Sequence, residues 1–258
     1  MEIQALEKTI AEITDTARNL WEKGWAERNA GNISVNITGL LSAQELELFS
    51  NSTIRPLPII CSPLADQILI VTSAGSRMRD LAKNPWDHLC ILKMDASGTY
   101  FKQWPEKGRE PTSELSTHLA VHNMLIRTKS AKKALVHTHV TELIALTQIR
   151  EFCSTEALNR LLWRMHPETK IFIPKGTGFI PYILPGTSTI AEASALALED
   201  HSVVVWEKHG VLGTGTTAAN AFDTIDILAK SARIYFLVKQ SGIEPEGLTD
   251  GQLNELMG

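Results

Sequence analysis

Apolar residues recur at steps of three and four through Ile3, Leu6, Ile10, Ile13, Ala17 and Leu20. That spacing lays one apolar stripe along a helix ending near Gly24. The period then changes. After the turn at Asn29-Ala30-Gly31, Ile33, Val35 and Ile37 alternate with Ser34 and Asn36, the pattern of a strand with one face toward water. Residues 39–66 contain Pro56, Pro58 and Pro63 with no sustained period and read as irregular. Residues 68–72 form a second apolar strand running into the small-residue turn Ser73-Ala74-Gly75-Ser76. Two further strands, at 90–94 and 99–102, pair through Ala96-Ser97-Gly98.

Helical and strand periods keep alternating in the second half. Pro111-Thr112-Ser113-Glu114 opens a helix reaching about Arg127, with proline in its first turn and a carboxylate near its positive end. Residues 134–140 read as a buried strand followed by a helix through Leu146, and a further helix spans 155–165. Thr189 and Glu192 have capping-box spacing and start a helix running to about Glu199. Residues 202–208 form another buried strand leading to His209-Gly210, and Gly213-Thr214-Gly215 reads as a turn. Along 217–240, Phe222, Ile225, Ala229, Ala232 and Phe236 share one face of a long helix closed by Gly242. Without repeats or a low-complexity linker, this interleaving predicts a single α/β domain over 1–258. Its helices cover both faces of a sheet that the hairpin at 96–98 makes antiparallel or mixed.

Composition narrows the function classes. Hydrophobic residues at 43% and charged residues at 21% match an ordinary globular chain. A net charge of −4 with no long basic cluster argues against a nucleic-acid surface. No apolar run approaches the roughly 20 residues that cross a bilayer, and Met1-Glu2-Ile3-Gln4 lacks the layout of a secretory signal. Cys61, Cys90 and Cys153 are widely spaced and form no CxxC pair. They read as buried thiols in a reducing cytoplasm, not as a disulfide framework or a thiolate zinc site.

The sharpest chemistry is His137-Thr138-His139. Residues two apart on a strand project to one face, so both imidazoles can reach one cation. His209 is a natural third ligand, because it also follows an apolar strand and precedes a glycine that permits close approach. Catalytic zinc commonly takes three protein ligands and keeps one position open. The alternative is a purely structural histidine pair at a strand end. Glu114, His118 and His122 also have ligand spacing, at i, i+4 and i+8 of one helix. The neighbouring Leu115, Leu119 and Leu125 favour histidines hydrogen-bonded at a helix–sheet seam, with Glu114 at the helix start placed to act as a base. Asn29 with Asn32, Ser73-Ala74-Gly75 and Thr112-Ser113 are short polar turns able to offer N–H groups to an anion. No Walker-type or GxGxxG pattern occurs. Glu168 reads as a solvated loop carboxylate, and Trp21 and Trp25 as core or interface residues.

The order GNIS at 31–34, TSAGS at 72–76, PTSE at 111–114, HTH at 137–139 and KHG at 208–210 resembles the class II aldolase/epimerase family. The resemblance implies a three-layer αβα domain and a homotetramer with active sites between neighbouring subunits. It also implies one Zn2+ per subunit on His137, His139 and His209, with Glu114 as catalytic acid/base. The phosphate cradle maps onto Asn29, Asn32, Ser73, Gly75, Thr112 and Ser113, and the substrate would be a phosphorylated ketose. By position, Glu168 resembles a second catalytic carboxylate that reaches a neighbour's site. Segment 39–66, the RxPTSEL run at 109–115 and FIPYILPGT at 179–187 favour an aldolase within the family. Epimerases and dehydratases of the family keep the same three histidines. A non-enzymatic module on this fold, as in the adducin head, would be expected to have lost them.

Overall fold

In the computed structural model, which describes residues 4–257, the first apolar stripe forms α1 (Glu7–Glu22) and buries Ile10, Ile13, Ala17 and Leu20. Ile3 lies outside the described residues. The chain continues through β1 (Asn32–Asn36), α2 (Ala43–Leu46), β2 (Ile54–Pro56), β3 (Ile68–Thr72), α3 (Met78–Leu81), β4 (Leu89–Met94) and β5 (Tyr100–Trp104). Next come α4 (Leu115–Arg127), β6 (Ala134–Thr138), α5 (Thr141–Leu146), α6 (Thr155–Met165), α7 (Pro167–Phe172) and β7 (Gly178–Ile180). The last elements are α8 (Ser188–Asp200), β8 (Val203–Trp206), β9 (Gly210–Gly215), α9 (Ala218–Gln240) and α10 (Asp250–Glu255).

The nine strands join one sheet in the order β2-β5-β4-β3-β1-β6-β9-β8-β7. Every neighbouring pair is antiparallel except β7 with β8. The protein is therefore the α/β type expected, with a mixed and mostly antiparallel sheet. Alternating strand residues supply its two faces. Ile33, Val35, Ile70, Val136, Val205 and Val211 point to one side, where α1, α3, α5, α6 and α9 cover them. On the other side α4 and α8 lie over two separate apolar clusters, one around Leu69, Val71 and Leu119, the other around Leu135, Val204 and Leu212. Among the described residues no helix is long and apolar enough to cross a membrane. Cys61 and Cys90 are buried and Cys153 half-buried, all as free thiols. Burial pushes Cys61 up to about 11 and Cys90 up to about 12, so both stay protonated and inert.

Several local expectations change in three dimensions. The face of β1 expected to meet water is covered at its centre: Ser34 is fully buried and Asn36 only half-buried, because α4 lies across this side of the sheet. Gly213-Thr214-Gly215 is not a turn. It completes β9, where Ala221 backbone and Ile225 crowd so close to Gly213 that a side chain has no room. Pro111 is not in a helix; it bridges Ser73, and α4 begins only at Leu115. α8 is capped by the Thr187 hydroxyl on the Ile190 N–H, two residues before Thr189. Segment 39–66 contributes the edge strand β2, while β7 and α10 carry too little periodicity to be anticipated. Glu168 sits in the first turn of the short helix α7, not in a loop.

Candidate active site

β6 and the β8–β9 turn bring three imidazoles together. His137 faces α4, pairing in register with Asn32 of β1 and Leu212 of β9. His139 lies just beyond the strand, where its backbone N–H and the Thr138 hydroxyl both donate to the Trp25 carbonyl, at 3.0 and 2.7 Å. His209 is in the β8–β9 turn, which takes a left-handed residue at Lys208 (φ 59°). The Lys208 N–H is held by the Thr147 hydroxyl at 2.8 Å. Gly210 then passes so close to β6 that an added Cβ would lie 2.6 Å from the Thr138 carbonyl oxygen. One nitrogen from each of His137, His139 and His209 lies within 4.8 Å of the others.

The donor set suits a metal. His137 Nδ1 contacts the Val211 carbonyl at 3.0 Å and His139 Nδ1 contacts the Glu27 carboxylate at 2.7 Å. Both acceptors require Nδ1–H and leave Nε2 with its lone pair, the tautomer a metal needs. His209 Nδ1 is buried without a hydrogen-bond partner among the described residues. Trp206 backs the cluster, its ring centroid 4.6 Å from His137 and 5.0 Å from His209. Burial is the main force lowering His137 to about 3 and His209 to about 4, with neighbouring imidazoles adding to it. Three imidazoles with one nitrogen each gathered round a single point make a ready ligand set for a cation.

Glu114 stands at the N-terminal end of α4 and closes the site from above. Its Oε2 lies 3.5 Å from His137 Nε2 and its Oε1 3.7 Å from His209 Nε2. The helix seam expected for His118 and His122 is present, since both rings are buried and both meet the Ser34 hydroxyl. Asn32 links this seam to Glu114, its Nδ2 donating to Oε2 at 3.0 Å.

Two of the segments expected to cradle an anion also converge. Ala74 N–H donates to the Glu110 carbonyl and Thr112 N–H to the Thr72 carbonyl, so the turn at 73–76 and the run at 111–114 are laced side by side. Ser73, Asn32 and Thr112 are buried, while Asn29, Gly75 and Ser113 are exposed. Gly75 takes a left-handed φ of 70° with open space around it. Glu168 stands apart from this cluster; its carboxylate pairs with His166 at 2.9 Å and faces outward.

Three contributors escape the sequence reading. Glu27 orients His139, Trp206 backs two of the rings, and the Trp25 carbonyl pins the His139 loop. A carboxylate paired with a ligand histidine recurs at zinc sites, but Glu27 and His139 are 112 residues apart and no local pattern connects them.

The sequence profile described as "Class II Aldolase and Adducin N-terminal domain" matches residues 11–236. A rhamnulose-1-phosphate aldolase of Bacteroides thetaiotaomicron is 40% identical over 252 residues, covering 98% of this chain and 94% of the relative. One from Listeria welshimeri is 35% identical, covering 95% and 88%. Among solved structures, a sugar-phosphate aldolase from Thermotoga maritima superposes with a TM-score of 0.81 at 31% identity, over 94% of this chain and 99% of that one. An L-fuculose 1-phosphate aldolase superposes at 0.63 with 22% identity, over 97% and 94%, a likeness of fold alone.

Proposed function

The chain belongs to the class II aldolase family and is a lyase, and from that premise we propose that it cleaves L-rhamnulose 1-phosphate reversibly to dihydroxyacetone phosphate and L-lactaldehyde. The substrate in this reading rests on the 40% identity to the rhamnulose-1-phosphate aldolase of Bacteroides thetaiotaomicron; the observation that carries the chemistry is the Glu114 carboxylate facing the Nε2 edges of His137 and His209 at 3.5 and 3.7 Å. An acid/base group is thereby set beside a three-histidine donor set. His137, His139 and His209 would hold Zn2+, one ion per subunit. When bound, the ion supplies Lewis-acid polarisation of the ketone oxygen.

Glu114 works on the other side of the reacting carbon. Cleavage of the C3–C4 bond leaves its electron pair on C3, and Glu114 delivers the proton that C3 then takes up; in the synthetic direction it removes that proton. The C4 hydroxyl must lose a proton as the aldehyde forms. Glu168 of a neighbouring subunit is the group we assign to it, in a homotetramer whose sites lie at subunit interfaces. Asn29, Asn32, Ser73, Gly75, Thr112 and Ser113 bind the phosphate through N–H and hydroxyl donors, fixing the substrate end remote from the breaking bond. The same reading treats 1–258 as a single domain and places the enzyme in the cytoplasm.

Purified protein assayed on L-rhamnulose 1-phosphate, with released dihydroxyacetone phosphate coupled to a reductase, tests the proposal. Cleavage should be lost with chelator, restored by Zn2+ and abolished in Glu114→Ala. A zinc-loaded protein that cleaves other phosphorylated ketoses but not this one would refute the substrate. A lysine adduct trapped by borohydride with substrate would refute the mechanism.

A further inference from the structure

A run of polar side chains lies beneath Glu114, in the gap between the two apolar clusters under α4 and α8. Asn32 and Ser34, two residues apart on β1, point to the same face of the sheet, and His118 and His122, one turn apart on α4, come down to meet them. All four side chains are buried. His122 Nε2 lies 2.8 Å from Ser34 Oγ, and Ser34 Oγ lies 2.6 Å from His118 Nδ1. His118 Nε2 contacts Asn32 Oδ1 in a short hydrogen bond, and Asn32 Nδ2 reaches Glu114 Oε2 at 3.0 Å.

The direction of every bond in this run follows from its last member. Asn32 turns its NH2 to the Glu114 carboxylate, which leaves its carbonyl to His118. His118 must then carry its proton on Nε2. Burial pushes His118 down to about 4 and His122 down to about 3, so both rings are neutral and the second nitrogen of His118 is bare. Ser34 has a single hydrogen, which goes to that bare Nδ1. The hydroxyl oxygen is left to accept from His122 Nε2–H.

We propose that His122, Ser34, His118 and Asn32 form a one-way chain of donation that holds Oε2 of Glu114 in place and leaves Oε1 as the oxygen that exchanges the substrate proton. The inference rests on Glu114 being the acid/base of the proposed reaction. His118 and His122 are positioning residues, acting through Asn32. A run of neutral dipoles oriented one way strengthens each bond in it, and its attachment to both β1 and α4 fixes the carboxylate relative to the sheet that carries His137.

Nitrogen NMR of histidine-labelled, metal-loaded wild-type protein reads the tautomers directly. Both His118 and His122 should be protonated on Nε2; an Nδ1–H tautomer at either overturns the chain. Kinetics then separates positioning from packing. His118→Leu should lower kcat about 10- to 100-fold, the cost of a misplaced catalytic group, a larger factor than the rise in KM that follows from loosening Asn32, which also binds the phosphate. His118→Gln can still donate an amide N–H to Asn32 and should recover about tenfold of that loss. Equal loss in the two variants, or a KM that rises while kcat holds, overturns the positioning role. If wild-type protein cleaves no phosphorylated ketose, the proposed function fails, while the NMR spectra still decide the chain's direction.

Discussion

Gly210→Ala adds one methyl group and no charge, yet the structure predicts that it damages the proposed metal site. The new Cβ would lie 2.6 Å from the Thr138 carbonyl oxygen, 3.0 Å from His137 Cε1 and 3.1 Å from His139 Cδ2. The nearest of these is backbone and cannot rotate away, because β6 is paired on both sides, with β1 and β9. Relief therefore requires the β8–β9 turn, carrying His209, to move off β6 by several tenths of an ångström. Metal sites hold their ligand distances within about 0.2 Å, so the displacement exceeds what the site tolerates. Overpacking of this kind costs about 1–3 kcal/mol, and at about 2–4 °C per kcal/mol for a chain of this size Tm should fall by about 2–12 °C. Metal affinity should fall about 10- to 100-fold, as when the groups supporting metal ligands are disturbed. Competition against a chromogenic chelator and thermal melting in chelator measure the two effects separately. Gly251→Ala is the control, since its nearest neighbour would be 3.9 Å away. Wild-type metal affinity together with an unchanged melt in Gly210→Ala would refute the steric reasoning.

Glu27→Ala frees His139 Nδ1, and because Glu27 is 65% exposed its effect on metal affinity should sit near the tenfold end of the range for such partners; unchanged affinity by chelator competition would show that Glu27 does not orient His139. His118 and His122, at about 4 and about 3 in the folded protein, stand against 6.5 in an unfolded chain. Between those values the unfolded state binds more protons. Stability is therefore full above about pH 6.5 and is lost as pH falls toward 4, at up to about 1.4 kcal/mol per pH unit for each histidine. Thermal melts of chelated protein between about pH 7 and 5 should show this slope and a shallower one in His122→Leu; equal slopes would contradict it. Glu114→Gln and Glu168→Gln should each lower kcat about 10²- to 10⁴-fold. Subunits carrying the two changes, co-assembled in equal amounts, should regain about a quarter of wild-type activity if each site draws on two subunits, whereas no recovery would place both carboxylates in one chain.

What the sequence determined by itself is whatever depends on neighbours a few residues apart. The apolar stripe of α1, the 217–240 helix with Phe222, Ile225 and Ala229 buried, and the hairpin of β4 and β5 all rest on short periods that physical chemistry reads directly. The shared face of His137 and His139 is likewise local, because strands alternate every two residues. The seam of His118 and His122 could be named from helix spacing and adjacent leucines, though not what it contacts. Tertiary structure decided the rest. Ser34 is buried and not wetted because β1 lies at the middle of the sheet, between β3 and β6, where α4 crosses over it. Gly213-Thr214-Gly215 is a strand because β6 and β8 supply partners on both sides, overriding the turn preference of its glycines. Asn32 meets Glu114 across 82 residues and Glu27 meets His139 across 112. Such contacts are set by which strands neighbour which, a property of the whole packed chain that no local period records.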